Sequence, residues 1–210
     1  MPRTNYIFID FENVQEIDLP RIAGKPVKVT LVLGLAHKKL DVALVKELLK
    51  YPGQIALVET RRNGPNALDL VLAHQIGLAR TVDPAGYFHI LSRDKDFDAL
   101  IGHLKDEGVF AARRASFCEI LVLMDADERA RSLAAHFEKI PNCLPRKRKK
   151  LESLMQAHFG SALSPAEVDD TVRALVASKI IGLSEDGDVT YKMISSGPAK
   201  PPASNPPKAR

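Results

Sequence analysis

The chain has 210 residues, 45% of them hydrophobic and 27% charged, which suits one medium domain plus a small second one. It contains no run of about 18 apolar residues, and its first ten residues, MPRTNYIFID, lack the layout of a signal peptide, so a membrane span and secretion are both set aside. The net charge of +4 is unevenly spread: residues 1–140 hold 19 basic and 19 acidic side chains, residues 141–210 hold 11 and 7, and this C-terminal excess points to a polyanion partner.

In chain order, Tyr6–Ile9 is a short apolar run ending at Asp10, and the β-branched run Val27–Leu33 reads as a second strand. Val42, Val45, Leu48 and Leu49 recur at helical spacing within Asp41–Lys50, and Tyr51-Pro52-Gly53 stops that helix. A third strand is expected at Ile55–Val58, a strongly apolar helix at Asn66–Arg80 after the turn Asn63-Gly64-Pro65, and a fourth strand at Tyr87–Leu91. A helix over Phe97–Glu107 is stopped by Gly108, a fifth strand follows at Val109–Ala112, and a helix spans Ala126–Lys139. Strands alternating with helices predict a three-layer α/β domain with a mainly parallel sheet over residues 1–140. Residues 141–150, with two prolines and the basic run Arg146, Lys147, Arg148, Lys149 and Lys150, read as a basic linker. Beyond it, a helix is expected at Leu151–Phe159. Ser164-Pro165-Ala166-Glu167 is a capping box opening a second helix to Ser178. Ile180–Leu183 and Val189–Met193 can pair as a hairpin. Helix, helix and hairpin over 151–194 have the outline of a small winged-helix-like unit, and the proline-rich stretch 195–210 reads as a disordered tail.

The acidic residues are the feature most in need of an account. In HILSRDKDFDAL (residues 89–100), Asp94, Asp96 and Asp98 follow a strand end within five positions. Carboxylates so close repel one another unless protons, cations or solvent intervene. Asp10 ends the first strand, and in parallel sheets ligands sit beyond such carboxyl ends, at a topological switch point. Asp69 lies among Leu68, Leu70, Val71 and Leu72, where an unpaired charge is costly. Three acids from three segments can meet only at one sheet edge, where oxygen ligands suit Mg2+ or Mn2+. Each also has a plainer role as helix cap, dipole partner or turn former, and Asp98 ranks below the others. Zinc is disfavoured by the absence of CxxC and HExxH spacing, Cys118 and Cys143 imply no disulfide framework, and no phosphate-cradling glycine loop or GxSxG occurs.

Taken together, IFIDFENVQ, NALDLVLAHQIG and FHILSRDKDFDALI resemble the PIN-like superfamily, and its NYN branch in particular, over about residues 5–140. The resemblance implies a metal-dependent ribonuclease using Mg2+ or Mn2+, with Asp10, Asp69, Asp94 and Asp96 as catalytic and metal-binding acids and Asn13 and Ser92 in support. It also implies in-line attack on RNA, with DNA as an alternative substrate, leaving a 3′-hydroxyl and a 5′-phosphate. The chain departs from the family pattern at Ala73-His74-Gln75, where relatives carry a further Asp, at Asn66 in place of a Lys, and at Arg93 in place of a Gly. Arg61, Arg62 and Arg93 near the acids, and Arg146 to Lys150 in the linker, are candidate phosphate contacts.

Two other readings stand beside this one. A degenerate pocket would leave an RNA-binding or scaffold protein without catalysis. A phosphatase of the haloacid-dehalogenase type also begins with an Asp after its first strand, but that class places a second Asp two residues on, where this chain has Glu12. The expected setting is cytoplasmic, with no membrane partner and homo-oligomerisation left open.

Overall fold

The structure, a computed structural model, describes residues 3–192 apart from Asn63 and Ala162. The proline-rich stretch from Ser195, and Met193 of the expected last strand, lie outside these residues. A five-stranded, fully parallel sheet forms the first unit, built from β1 (Asn5–Asp10), β2 (Val27–Leu33), β3 (Ile55–Glu59), β4 (Tyr87–Leu91) and β5 (Phe110–Arg114). Its order is β3-β2-β1-β4-β5, so the chain builds outward from β1 to one side and then returns to place β4 on the other. The carboxyl ends of β1 and β4 are thus the topological switch point.

The central strand shows why the sheet is covered on both faces. All six residues of β1 are buried, as a parallel strand between two layers requires. Tyr6 and Phe8 point to one face with Phe88 and Ile90. There α2 (Ala67–Val82) packs Leu68, Leu72 and Ile76, and α3 (Phe97–Asp106) packs Phe97, Ile101 and Leu104. Ile7, Ile9 and Leu91 point to the other face, against Leu48 at the end of α1 (Val42–Leu48). The 3-10 turn Leu19–Ile22 and residues Phe117, Ile120 and Val122 complete that layer, although no periodic pattern marks them. This is the α/β architecture the alternation predicts, with strand ends displaced by one or two residues.

The second unit has its own core. In α4 (Ala126–Lys139), α5 (Arg148–His158) and α6 (Pro165–Ala177), the side chains of Leu133, Phe137, Leu151, Met155, Val172 and Leu175 form one cluster. The antiparallel hairpin β6 (Ile181–Leu183) and β7 (Val189–Tyr191) closes this cluster through Ile181 and Val189. α4 therefore shares its core with the C-terminal helices, and α5 begins inside the basic run, at Arg148. Both long caps are formed: Asp125 with Glu128 opens α4, and Ser164 with Glu167 opens α6 as the sequence predicts. An isolated antiparallel bridge joins Lys147 to Asp188 beside the hairpin.

A charged network ties the two units together. Arg129, only 4% exposed, donates from Nε to Thr171 Oγ1 at 2.7 Å and from Nη1 to the Met124 carbonyl at 2.5 Å, and lies 3.6 Å from Glu167. Lys25, ahead of β2, reaches the same Glu167 at 3.4 Å, and Arg21 pairs with Glu128 of α4. A buried guanidinium with these partners cannot be removed without stranding polar groups. Arg129→Ala is expected to destabilise the protein by at least about 2 kcal/mol, the scale of hydrogen bonds to a charged group. Chemical denaturation checks this, and an unchanged midpoint contradicts it.

Candidate functional site

β1 ends on Asp10, in register with Val32 of β2, and the chain turns sharply after it. Its carboxylate organises that turn. Oδ1 accepts from the backbone N–H groups of Glu12 (3.2 Å) and Asn13 (3.3 Å), and Oδ2 accepts from Asn13 Nδ2 (2.7 Å) and Ser92 Oγ (2.8 Å). The group is 2% exposed and accepts four hydrogen bonds, which fix its orientation at the end of β1. Ser92, fully buried just past β4, also accepts the Asp94 N–H at 3.0 Å. One hydroxyl therefore fixes Asp10 and the backbone that carries Asp94.

A polar cavity of about 330 Å3 opens here, walled by Asp10, Glu12, Asn13, Asp69 and Asp94 together with Thr60, Arg62 and the start of α2. Gly34, just past β2, makes room for Glu12: a Cβ at that position would collide with the Glu12 carboxylate. Thr60 is held in the wall by its N–H and hydroxyl, both bonded to the Leu33 carbonyl. Asp69 sits in the first turn of α2, after Asn66, which takes a left-handed φ of 57° and makes no side-chain cap. Partial burial, then repulsion from Asp10, Asp94, Asp96 and Glu12, pushes the Asp69 carboxyl above its usual range. That coupling shows acids from three segments acting on one another at the switch point.

Asp10, Asn13, Ser92, Asp69 and Asp94 thus come together. Asp96 stands exposed at the start of α3 and does not line the cavity, although its charge reaches Asp69, while its N–H donates to Asp94 Oδ1 at 2.9 Å. Asp98 is drawn away into an ion pair with Arg113 (2.7 Å), which holds its carboxyl below the usual range. Of the three arginines, Arg62 lines the cavity, whereas Arg61 and Arg93 lie exposed outside its wall. In the basic run, Lys147 pairs with Asp188 (2.8 Å) and Arg148 with Glu152 (2.8 Å) and Asp169 (2.6 Å). Arg146, Lys149 and Lys150 are exposed and have no ion pair among the described residues. Gly34 is a cavity residue that sequence reasoning misses, and Glu12, within the candidate stretch Asp10–Asn13, is assigned no role there. The FEN turn after Asp10 carried a signal for Glu12, and nothing local marked Gly34.

A family model for the PIN domain matches residues 4–114, just over half of the chain. The chain belongs to the PIN domain family. No curated protein and no solved structure matches it. PIN domains are generally metal-dependent nucleases, so a role on nucleic acid follows at that general level. The matched span includes all five strands and every acid of the cavity.

The donor set of this PIN domain can be tested against a divalent ion. Among the described residues no three His, Cys, Asp or Glu side chains are gathered closely enough to hold a metal ion. Mg2+, however, keeps several waters and takes one or two carboxylates directly. The cavity offers only hard oxygen donors, from Asp10, Glu12, Asp69 and Asp94, and their mutual repulsion favours a cation. The chemistry of the residues therefore fits Mg2+ or Mn2+.

Two outcomes follow for the metal-free protein. A carboxyl whose pKa is raised on folding binds more protons in the folded state, so its contribution to stability falls as pH rises from the unfolded pKa through the folded one. Asp69→Asn removes that penalty. It should stabilise the protein at pH 7 by less than about 1 kcal/mol, given its partial exposure, with the gain vanishing below about pH 4. Thermal melts in EDTA at both pH values check this, and a destabilised variant at pH 7 contradicts it. Ser92→Ala leaves the Asp94 N–H without its acceptor and Asp10 short of a donor, and should lower stability by about 1–3 kcal/mol in urea unfolding.

Proposed function

We propose that this PIN domain is a metal-dependent ribonuclease of the NYN type, hydrolysing RNA phosphodiester bonds at the carboxylate cavity. The observation that carries the reading is the convergence of Asp10, Asp69 and Asp94, from three separated segments, on one polar cavity at the β1/β4 switch point. Asp10, Asp69 and Asp94 would hold Mg2+ or Mn2+, with Glu12 facing the same space. A bound divalent ion supplies positive charge that offsets the carboxylate repulsion and the charge building on a phosphoryl group. Asn13 and Ser92 orient Asp10 through its Oδ2, and Ser92 fixes the backbone at Asp94. Arg62, in the cavity wall, would meet a phosphate oxygen of the strand. Asp96, outside the wall, adds negative potential and serves as an outer member of the acidic set.

We further propose that the helical unit with its hairpin is a winged-helix-like module that holds RNA electrostatically. Support comes from the order α4, Lys147–Asp188 bridge, α5, α6, hairpin, and from the exposed Arg146, Lys149 and Lys150 beside it. Lys147 and Arg148 would serve mainly to brace the module through their ion pairs. A cytoplasmic setting is part of the same proposal. Among the described residues no helix is long and apolar enough to cross a membrane.

End-labelled single-stranded RNA incubated with the full chain in Mn2+, Mg2+ or EDTA tests the reading. Cleavage is expected with either metal, none in EDTA, and a loss of at least about a hundredfold in Asp94→Asn, the scale of removing a group that positions the reaction. Binding of RNA without cleavage under any metal condition would transfer the protein to the non-catalytic reading. Arg146→Gln with Lys149→Gln and Lys150→Gln should weaken RNA binding and flatten its salt dependence without changing the metal requirement.

A further inference from the structure

A second cavity, of about 340 Å3, lies where the C-terminal module meets the sheet, and none of the acidic residues lines it. Its walls come from the β4 and β5 side, through Tyr87, His89, Phe110 and Arg114, and from the end of α5, through His158. Arg3 and Lys105 also border it, so three basic side chains line a cavity that has no carboxylate among the described residues. None of the three has an ion pair among the described residues. The guanidinium of Arg3 lies 5.3 Å from the Tyr87 ring and 4.4 Å from the Phe110 ring, and those rings meet edge to face at 5.3 Å. Phe110 is 48% exposed, so part of its ring remains open beside Arg3 and Tyr87.

Polar atoms in the same wall lack partners. Among the described residues, Arg114 Nε and His89 Nδ1 are buried without a hydrogen-bond partner. His89 is 9% exposed, and its Nε2 lies 3.0 Å from Asn5 Oδ1, whose own Nδ2 donates to the Arg3 carbonyl. Nε2 must therefore carry the proton, which leaves Nδ1 of the neutral ring as an acceptor in need of a donor. Burial and Arg114 keep the ring neutral, with its pKa pushed down to about 4. Unmet buried donors and acceptors beside aromatic faces and uncompensated cations describe a site for a planar, hydrogen-bonding, anionic molecule.

We propose that this cavity binds a nucleotide unit, with the base against Phe110 and Tyr87 and the phosphate met by Arg3, Lys105 and Arg114. Base stacking on an aromatic ring and bidentate capture of phosphate by arginine are the two interactions these side chains offer. Its size suits a mononucleotide rather than a folded polymer, so the unit is either a free nucleotide or the phosphorylated end of a strand. Because His158 belongs to the C-terminal module, occupancy would touch both units at once.

Isothermal titration of the full chain with AMP, GMP, CMP and UMP, in EDTA, tests the proposal. At least one nucleotide should bind, Arg3→Gln and Arg114→Gln should each weaken it at least about tenfold, and Asp94→Asn should leave it unchanged. Arg3 is exposed, so its variant reports on binding even if Arg114→Gln disturbs the fold. Competition by short RNA separates the sources: displacement by a 5′-phosphorylated tetranucleotide but not its 5′-hydroxyl form assigns the site to strand ends, and displacement by neither assigns it to free nucleotides. No heat with any of the four nucleotides at millimolar concentration would overturn the proposal. So would binding that Asp94→Asn abolishes and both arginine variants retain.

Discussion

The hydrogen bond from Ser92 Oγ to Asp10 Oδ2 joins the two strands that the sheet order brings side by side at its switch point. Because β1 and β4 are neighbours, an acid ending one and a hydroxyl following the other meet with no long side chain needed. The same hydroxyl anchors the Asp94 backbone, and α2, which crosses between β3 and β4, brings Asp69 to the same rim. Once these positions are set, negative charge is concentrated in one small volume, and Asp69 is protonated more readily than an isolated Asp. The fold thus spends stability on a charge arrangement that a cation would relieve.

The parallel sheet makes that concentration bearable. Both faces of β1 are sealed by apolar layers, so the rim is held by a rigid floor and Asp10 receives its donors from the backbone turn it closes. The second unit is held to this floor by Lys25 on Glu167, which Arg129 of α4 braces from within that unit, and by Arg21 on Glu128. These ion pairs set α4 and α6 against the sheet layer, and the cavity lined by Arg114 and His158 is a product of the resulting seam.

Much of this was legible in the sequence, for identifiable reasons. Buried parallel strands are unbroken apolar runs, so Tyr6–Ile9 and Tyr87–Leu91 announced themselves, and each acid after them was conspicuous. Asp69 could be singled out because a charge among leucines needs an explanation. Glu12 was given no role because its place depends on Gly34, a missing Cβ just past β2. Asp98 resembled Asp94 until β5 supplied Arg113 as its partner. The basic run looked uniform, but partners from α6 and the hairpin loop, Asp169 and Asp188, divide it into bracing and free cations. The sequence marked Ala126–Lys139 as a helix of the first domain, and only the tertiary structure assigns α4 to the C-terminal core. The second cavity was invisible for the same reason, since its walls lie far apart in the chain.

The central claim is that Asp10, Asp69 and Asp94 form a divalent-cation site at the switch point. Anomalous diffraction from crystals soaked in Mn2+ tests it without reference to any substrate. The account predicts an anomalous peak within coordinating distance of Asp10 and at least one of Asp69 and Asp94, absent in Asp10→Asn crystals. A peak elsewhere only, or none at millimolar Mn2+, would contradict it.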